Sequence, residues 1–342
     1  MNVFYFNTPW IIDEKEYNCS GRSQSEWKSR GSVNYAEGIY FGSTGTIFGI
    51  LYVLCLIGMV RGKLLKMPCY CLMFFNGIID IMDLITGSLL PSYFHPSGAV
   101  FCSSIAINWF GGHASWCAWS GASFNCLVLA LNRIVEMIPL ANGLRFLFEG
   151  KTLLLWMALS VAYMVVLPFI NRSHPYNTVA AAYIPSPVIT DDEEKETAHY
   201  VTLMVPIHNI TFVVMLLSLY SILCVYIIRI PRTAKGRNYK VQVQLFIQVF
   251  LICSTTAIAA TLHVLMMFFT VSRNAVVLAN VLWQLSHGLH GIIYLTFNHD
   301  IRHEVLKMFT RKKQGCPTRT VSINTCARAE TTGPKFWIQK FR

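Results

Sequence analysis

Residues 38–60 read GIYFGSTGTIFGILYVLCLIGMV, and this stretch decides the fold because no charged residue interrupts it. A helix of about 20 apolar residues crosses the roughly 30 Å hydrocarbon core of a bilayer. Helices of soluble proteins seldom stay apolar on every face over that length. The stretch therefore predicts a membrane-spanning helix.

Six more apolar stretches of similar length follow along the chain. The seven predicted spans are Gly38–Val60, Pro68–Leu90, Ser103–Leu131, Thr152–Ile170, Tyr200–Ile228, Gln242–Val271 and Ala275–Phe297. Because their number is odd, the two ends of the chain lie on opposite sides of the membrane. The predicted fold class is all-α, a seven-transmembrane helix bundle.

Composition indicates one integral membrane domain. The chain has 342 residues, of which 54% are hydrophobic and 13% charged, and soluble domains carry about twice that charged fraction. The predicted parts are an extracellular N-terminal head (1–37), the bundle (38–297), a short amphipathic cytoplasmic helix (298–313) and a disordered cytoplasmic tail (314–342).

The amphipathic helix rests on a separate pattern after the last span. Its apolar residues share one helical face: Ile301, Val305, Met308 and Phe309. Basic residues border that face, which is typical of a helix lying in the membrane interface. Cys316, just beyond it, is a candidate for palmitoylation.

The net charge of +11 sets the orientation. Lys and Arg cluster in Arg61–Lys66, Arg133–Lys151, Arg229–Lys240 and the tail after Phe297. The positive-inside rule places these segments in the cytoplasm, so the N-terminus lies outside and the C-terminus inside. The basic charge then faces anionic membrane lipids, which argues against nucleic acid as a partner.

The predicted outer side carries two kinds of modification site. Of the eleven cysteines, only Cys19 and Cys102 face this oxidising side, which predicts a disulfide between them. Two free or differently paired thiols are the alternative. Glycosylation sequons begin at Asn18 and Asn171 on this side, and a third, at Asn209, lies inside a span.

The long outer connection Asn171–His199 contains three prolines and the acidic run Asp191–Glu194. We expect a lid of irregular structure over the outer mouth of the bundle. The acidic run either attracts cationic ligands or is a solvated surface that keeps the mouth soluble.

Ionisable residues inside spans are costly, so they normally face the interior of the bundle. Asp80 lies deep in the second span, where it is either a buried switch or Na⁺ site, or a neutral acid held by hydrogen bonds. Arg133 ends the third span beside Asn132 and near Glu136. It either closes an internal gate and contacts a partner, or simply anchors the helix on the cytoplasmic side.

Aromatic, histidine and polar residues at mid-membrane depth suggest a small-molecule pocket. The candidates are His113, Trp116, Trp119, Ser120, His208, His263, Trp283, Gln284 and His287. Core packing is the alternative for each of them. Their spacing predicts no metal site. No phosphate loop, nucleophile elbow or metalloprotease motif is present, so the sequence predicts neither an enzyme nor a cofactor.

Several motifs together resemble the nematode serpentine chemoreceptors of class T. They are Glu16–Ser20 with Trp27 and Gly31, Gly49–Tyr52, Cys102-Ser103, Leu131–Arg133 with Glu136, His287-Gly288, Ile293–Leu295, and Asn298 through Arg302. The similarity covers roughly residues 16 to 310.

That resemblance implies a G-protein-coupled receptor for an environmental small molecule, in the plasma membrane and on sensory cilia. Its implied partners are a heterotrimeric G protein and arrestin. By looser similarity to rhodopsin-like receptors, Arg133 and Tyr294 occupy switch positions and Asp80 matches a buried acid. Asn132 stands where an acid is usual. The usual disulfide to the second outer loop is excluded because that loop has no cysteine, which favours Cys19 as the partner of Cys102.

Three rival functions remain from sequence alone. A ligand-gated channel with seven spans can have the opposite orientation, which the charge distribution disfavours. A transporter would show interrupted helices and internal repeats, and the two halves show no repeat. A non-signalling receptor-like membrane protein would have the same sequence features as a receptor.

Overall fold

The computed structural model describes residues 3–229, 237–269 and 271–310. Seven helices in it are long and apolar enough to cross a membrane, which confirms the predicted seven-helix bundle. Spans one to seven are Tyr35–Arg61, Pro68–Ser97, Ile105–Met137, Lys151–Phe169, Met204–Arg229, Val243–Phe268 and Arg273–Phe297. The predicted tail 314–342 and Cys316 lie outside the described residues.

Local sequence signals begin the spans. The Asn34 side chain accepts from the backbone of Glu37 at 3.1 Å and so caps span one. Pro68 occupies the first turn of span two, where its missing N–H costs nothing. Ser272 caps span seven. The helix that contains span six, Arg237–Phe268, begins before the apolar segment does.

Span two is not a uniform helix. An α-helical segment, Pro68–Leu84, leads into a π-helical turn, Ile85–Leu89, and then a second α-helical segment, Leu90–Ser97. The span ends at Gly98, whose φ of 59° lies in the left-handed region that favours glycine. Thr86, Gly87 and Ser88 of the π turn are buried, and such turns are often found at functional sites.

Several helix ends differ from the predictions. Span three continues to Met137, beyond the predicted end at Leu131. Span five begins at Met204 rather than Tyr200, because Tyr200 ends a separate outer helix, Glu193–Tyr200. Apolar composition alone cannot detect such a break, since the residues on both sides are suited to helix.

The lid over the outer mouth is more ordered than predicted. Two short antiparallel strands, Tyr176–Asn177 and Ala182–Tyr183, form a hairpin in which Tyr176 pairs with Tyr183. The outer helix Glu193–Tyr200 follows. The expectation of irregular structure in this connection was wrong, because backbone hydrogen bonds of the hairpin and helix satisfy its polar groups.

The head packs on the mouth of the bundle instead of forming a domain of its own. Its short helix, Gln24–Ser29, carries a capping box made by Ser23 and Glu26. A small apolar cluster joins head, span three and outer helix: Tyr17, Trp27, Phe101, Cys102, Trp109 and Tyr200. At the opposite end of the bundle, the helix His299–Phe309 follows span seven, with Ile301 and Val305 buried.

Candidate functional site

A cavity of about 90 Å³ lies between the outer halves of spans three, five, six and seven. Its lining is mainly aromatic, with a few polar groups: Ser115, Trp116, Trp119, His174, Tyr183, Val205, Asn209, His263, Asn280 and Trp283. An apolar cavity with a small number of polar groups is the usual form of a ligand site.

Three rings form the inner wall of this cavity. The Trp119 and Trp283 rings meet edge to face with centroids 6.4 Å apart. The His263 ring lies 6.2 Å from Trp119 and 6.0 Å from Trp283. Such contacts stabilise a defined ring arrangement beyond simple burial, so spans three, six and seven share one rigid aromatic floor.

The lid supplies the roof. The Tyr183 hydroxyl donates to the backbone oxygen of Thr86 at 2.7 Å, which fastens the hairpin to the π turn of span two. His174 reaches the cavity because Gly112 lets the lid approach span three. A Cβ at Gly112 would lie 2.5 Å from the His174 carbonyl oxygen, too close for any larger residue.

Polar atoms in the lining are of two kinds. Asn209 accepts from the Trp119 indole N–H at 2.9 Å, and Asn280 donates to the backbone oxygen of Ala181. In contrast, the indole N–H groups of Trp116 and Trp283 are buried and have no hydrogen-bond partner among the described residues. Burying an unsatisfied donor is costly, so these groups are available to an acceptor atom of a ligand.

A buried polar cluster lies below the floor. Tyr52, Asn76 and His290 donate to Asp80 Oδ2 at 2.5, 2.6 and 2.8 Å. His287 Nδ1 contacts the other oxygen, Oδ1, at 2.7 Å. The Asp80 side chain is completely buried. Spans one, two and seven therefore meet at a single carboxylate.

The end of span three that carries Arg133 is also buried. Arg133 is 2% exposed and donates to the Asn132 side-chain oxygen. Glu136, one turn further on, is half-buried and lines a polar cleft with Lys66 and Arg145. Both predicted roles of Arg133, a gate that contacts a partner and an anchor of the helix, remain predictions.

Tyr294 is joined to the Asp80 cluster through span one. Its ring packs edge to face on Tyr52 at a centroid distance of 5.7 Å, and Tyr52 in turn donates to Asp80. The predicted switch residues Asp80 and Tyr294 therefore belong to one packed network.

Comparison with known proteins decides the family. The family model described as serpentine type 7TM GPCR chemoreceptor Srt matches residues 1–317. The chain is also 26% identical over 296 residues to serpentine receptor class T-55 from Caenorhabditis elegans, covering 85% of this chain and 80% of that protein. The chain belongs to the Srt family of serpentine chemoreceptors. Its family is one of receptors rather than enzymes.

Four of the nine predicted pocket residues line the cavity of this Srt receptor: Trp116, Trp119, His263 and Trp283. The other five have partners elsewhere. His113 packs edge to face on Trp109, and Ser120 donates to the backbone oxygen of Cys117. His208 contacts the Tyr163 hydroxyl, Gln284 donates to Ser88 and Thr44, and His287 contacts Asp80. These five do not line this cavity, because side chains on the same helix point to different neighbours or lie at different depths.

Six lining residues were missed. Ser115, Val205, Asn209 and Asn280 lie within spans, and the two asparagines carried a usable signal because polar groups there normally face the interior. His174 and Tyr183 come from the lid. Only the fold of the lid brings them over the cavity, so no local pattern could have found them.

The Srt receptor holds its outer mouth with covalent and ionic contacts. Cys19 and Cys102 form a disulfide, the pairing expected from sequence. Glu16 bonds His199 at 2.8 Å and Arg172 at 3.1 Å. Burial alone would raise the pKa of Glu16, but these bonds outweigh burial and hold its pKa below the usual value. The head is thus tied to span three, the lid and the outer helix.

The acidic run of the lid is already paired in part. Asp191 accepts from Arg22 at 2.5 Å and from Arg30 at 2.6 Å. The hydrogen bond from Arg30 and the charge of Arg22 hold the pKa of Asp191 below its usual value. Asp192 caps the outer helix. These two carboxylates serve the fold of the mouth, which disfavours their predicted alternative role of attracting cationic ligands.

The two outer sequons differ in exposure. Asn18 is exposed. Asn171 is completely buried, and its side-chain oxygen accepts from Thr202 at 2.5 Å. A folded receptor has no room for a glycan on Asn171, so the structure argues against that predicted site and leaves Asn18.

Buried His174 predicts a stability change at acidic pH. Burial lowers the pKa of His174 from 6.5 to about 4, so the folded state holds it neutral. The unfolded state binds a proton as pH falls below 6.5, so stability present at neutral pH is lost between pH 6.5 and 4, by roughly 1 to 3 kcal/mol.

Melting temperature of the purified receptor across this pH range measures the effect. His174→Gln should reduce the loss on acidification, whereas His299→Gln, at a 73% exposed side chain far from the lid in sequence, is the control and should leave the loss as in the wild type. An identical pH dependence in the wild type and His174→Gln would contradict the burial argument.

Proposed function

We propose that this Srt receptor binds an environmental small molecule in the outer cavity and signals to a heterotrimeric G protein. The observation that carries the proposal is the cavity itself, an aromatic chamber of about 90 Å³ between spans three, five, six and seven under the lid. Membership of a chemoreceptor family supports the same role.

The lining favours a small, neutral ligand. Drug-sized ligands occupy sites of roughly 300–1,000 Å³, several times the volume present here. Among the described lining residues none is Asp, Glu, Lys or Arg, so no ion pair is offered. The unpartnered indole N–H groups of Trp116 and Trp283 suit a ligand with an apolar body and one or two acceptor oxygens.

Signalling requires that the ligand bind one arrangement of the bundle better than another. The cavity wall joins spans three, six and seven through Trp119, His263 and Trp283. A ligand wedged against this floor changes their packing, and Trp119 also contacts His287 of the Asp80 cluster at 5.9 Å. Movement at the floor therefore reaches the centre of the bundle through direct contacts.

The G protein docks at the cytoplasmic end of span three. Asn132, Arg133 and Glu136 lie there, the last in the polar cleft with Lys66 and Arg145. Tyr294 and Asp80 act as switch residues between the cavity and this end, because Tyr294 packs on Tyr52, Tyr52 donates to Asp80, and Asp80 contacts His287 next to Trp119. Arrestin, as a further partner, uses the same face, and the helix His299–Phe309 contacts membrane lipids through exposed Leu306 and Phe309.

The receptor resides in the plasma membrane, including sensory cilia, with the N-terminus outside and the C-terminus in the cytoplasm. The distribution of Lys and Arg supports this orientation, and so does the disulfide between Cys19 and Cys102, which requires an oxidising compartment.

Filling the cavity should weaken the ligand response. Val205 lines the cavity on span five, whereas Val214 on the same helix is 58% exposed toward lipid. In a second-messenger assay with a ligand panel, Val205→Phe should raise the half-maximal ligand concentration at least about tenfold, which equals 1.4 kcal/mol.

Val214→Phe is the matched control and should respond like the wild type at equal surface expression. Equal responses from both variants would mean that the ligand binds elsewhere.

Removing Arg133 should uncouple the receptor from the G protein. Arg133→Ala should abolish the second-messenger response while ligand binding and surface expression are retained. Arg61→Ala, an exposed arginine at the cytoplasmic end of span one, is the control and should signal normally.

A ligand-evoked current that persists in Arg133→Ala would favour a channel. A full second-messenger response in Arg133→Ala would refute its coupling role, and ligand binding with no response in the wild type would point to a non-signalling receptor.

Glycosylation tests the orientation. We expect one N-linked glycan on Asn18, so Asn18→Gln should increase electrophoretic mobility and Asn171→Gln should not. Glycosidase treatment of the wild type should give the mobility of Asn18→Gln. A shift caused by Asn171→Gln, or the absence of any glycan on a surface-expressed receptor, would count against the arrangement of the outer mouth described above.

A further inference from the structure

Below the cavity floor, two carboxylates and an imidazole converge without enough internal partners. Asp80, Asp83 and His287 each offer one ligand atom, and the three atoms lie within 4.8 Å of one another. All three side chains are at most 1% exposed. We propose that these three residues bind a divalent transition metal ion of the Zn²⁺ class.

Asp83 provides the first argument. Neither of its carboxylate oxygens has a hydrogen-bond partner among the described residues, although the side chain is 1% exposed. Its nearest contact of opposite polarity is His287 Nδ1, 3.7 Å from Oδ2. An unpaired buried carboxylate is strongly unfavourable, so this group requires a proton or a cation.

Asp80 provides the second argument, because its two carboxylate oxygens have different numbers of partners. Oδ2 accepts from Tyr52, Asn76 and His290 and is saturated. Among the described residues Oδ1 contacts His287, whose Nδ1 also lies 3.7 Å from Asp83 Oδ2. Metal-binding carboxylates are commonly oriented by hydrogen bonds to the oxygen that does not bind, and here three donors fix Asp80 in that way.

The distances suit a small metal ion. Zinc binds nitrogen and carboxylate oxygen at about 2.0–2.2 Å, which places tetrahedral ligand atoms about 3.3–3.5 Å apart. The observed separations from His287 Nδ1 are 2.7 Å to Asp80 Oδ1 and 3.7 Å to Asp83 Oδ2, on either side of that value. Three protein ligands leave a fourth position for water.

Charge and ligand type select the class of ion. Two carboxylates with a neutral imidazole carry two negative charges, which a divalent cation balances. His287 Nδ1 must give up its proton to bind, so the neutral ring carries its proton on Nε2. Na⁺, Mg²⁺ and Ca²⁺ prefer oxygen ligands, whereas imidazole nitrogen favours zinc and its neighbours.

This placement connects spans two and seven directly beneath the floor, because Trp119, which lines the cavity, contacts His287. The sequence predicted no metal site because zinc-binding helices were expected to carry an i and i+4 pair backed by a carboxylate, and His290 stands at i+3 from His287 on a span with no Asp or Glu. The acidic partners of His287 come from span two, which only the packing of the two spans brings into reach.

Metal content of the purified full-length receptor tests the proposal without any ligand or G protein. After dialysis against metal-free buffer, wild-type receptor should retain about one Zn²⁺ per chain. It should also bind Co²⁺ with the visible absorption of a tetrahedral site. Asp83→Asn and His287→Gln should lose both signals. His208→Gln, which removes a buried histidine outside the cluster, should keep them.

Folding is monitored by elution profile and melting temperature, so that metal loss is not confused with misfolding. Tyr52→Phe removes one donor to Asp80 and leaves all three ligands, so Zn²⁺ affinity should fall on the order of 10- to 100-fold. A partial loss of affinity is expected when Asp80 binds the ion and Tyr52 orients Asp80. Zn²⁺ bound at surface residues would not respond to Tyr52→Phe.

Three results would overturn the proposal. The first is a well-folded wild type that retains no Zn²⁺. The second is equal retention by Asp83→Asn and His287→Gln, which means binding at other residues. The third is a melting temperature raised by Na⁺ or Ca²⁺ but not by Zn²⁺, which means a site for a hard cation.

Discussion

The buried carboxylate of Asp80 is the interaction on which the bundle depends. Its Oδ2 accepts hydrogen bonds from Tyr52 of span one, Asn76 of its own span and His290 of span seven, and its Oδ1 contacts His287 of span seven. Hydrocarbon offers no alternative partner for a charged or polar group. Removing any one donor therefore leaves the buried carboxylate with an unsatisfied acceptor. This requirement fixes the relative positions of the three spans more specifically than apolar packing alone would.

The outer cavity follows from that arrangement. Contacts of His287 and His290 with Asp80 fix the position of span seven. One turn toward the outside on the same span, Trp283 packs against Trp119 and His263. The π turn of span two accepts the Tyr183 hydroxyl through the Thr86 carbonyl oxygen, which brings the lid over the same space. The cavity and the polar cluster around Asp80 are thus adjacent, and they are in contact through Trp119 and His287.

A second set of contacts holds together the outer mouth of the bundle. Water would weaken each of these contacts if it stood alone on the surface. The disulfide of Cys19 with Cys102, the contacts of Glu16 with Arg172 and His199, and the pairing of Arg273 with Glu37 at 2.7 Å all join segments distant in sequence. Isolated surface ion pairs contribute little. Here they act together with the buried cluster around Tyr17, so the lid and head keep a defined position over the cavity.

Sequence alone determined the seven spans and the class T resemblance, because apolar length is a local property and the bilayer imposes it on each helix separately. The aromatic residues Trp116, Trp119 and Trp283 were also predictable as interior residues. Tertiary structure decided the rest. Which neighbour a polar residue of a helix faces depends on the packing of the bundle. His113, His208 and Gln284 therefore do not line the cavity, whereas His174 and Tyr183 of the lid do. The approach of Asp83 to His287 likewise depends on the packing of span two against span seven, since no spacing within either helix encodes a contact between them.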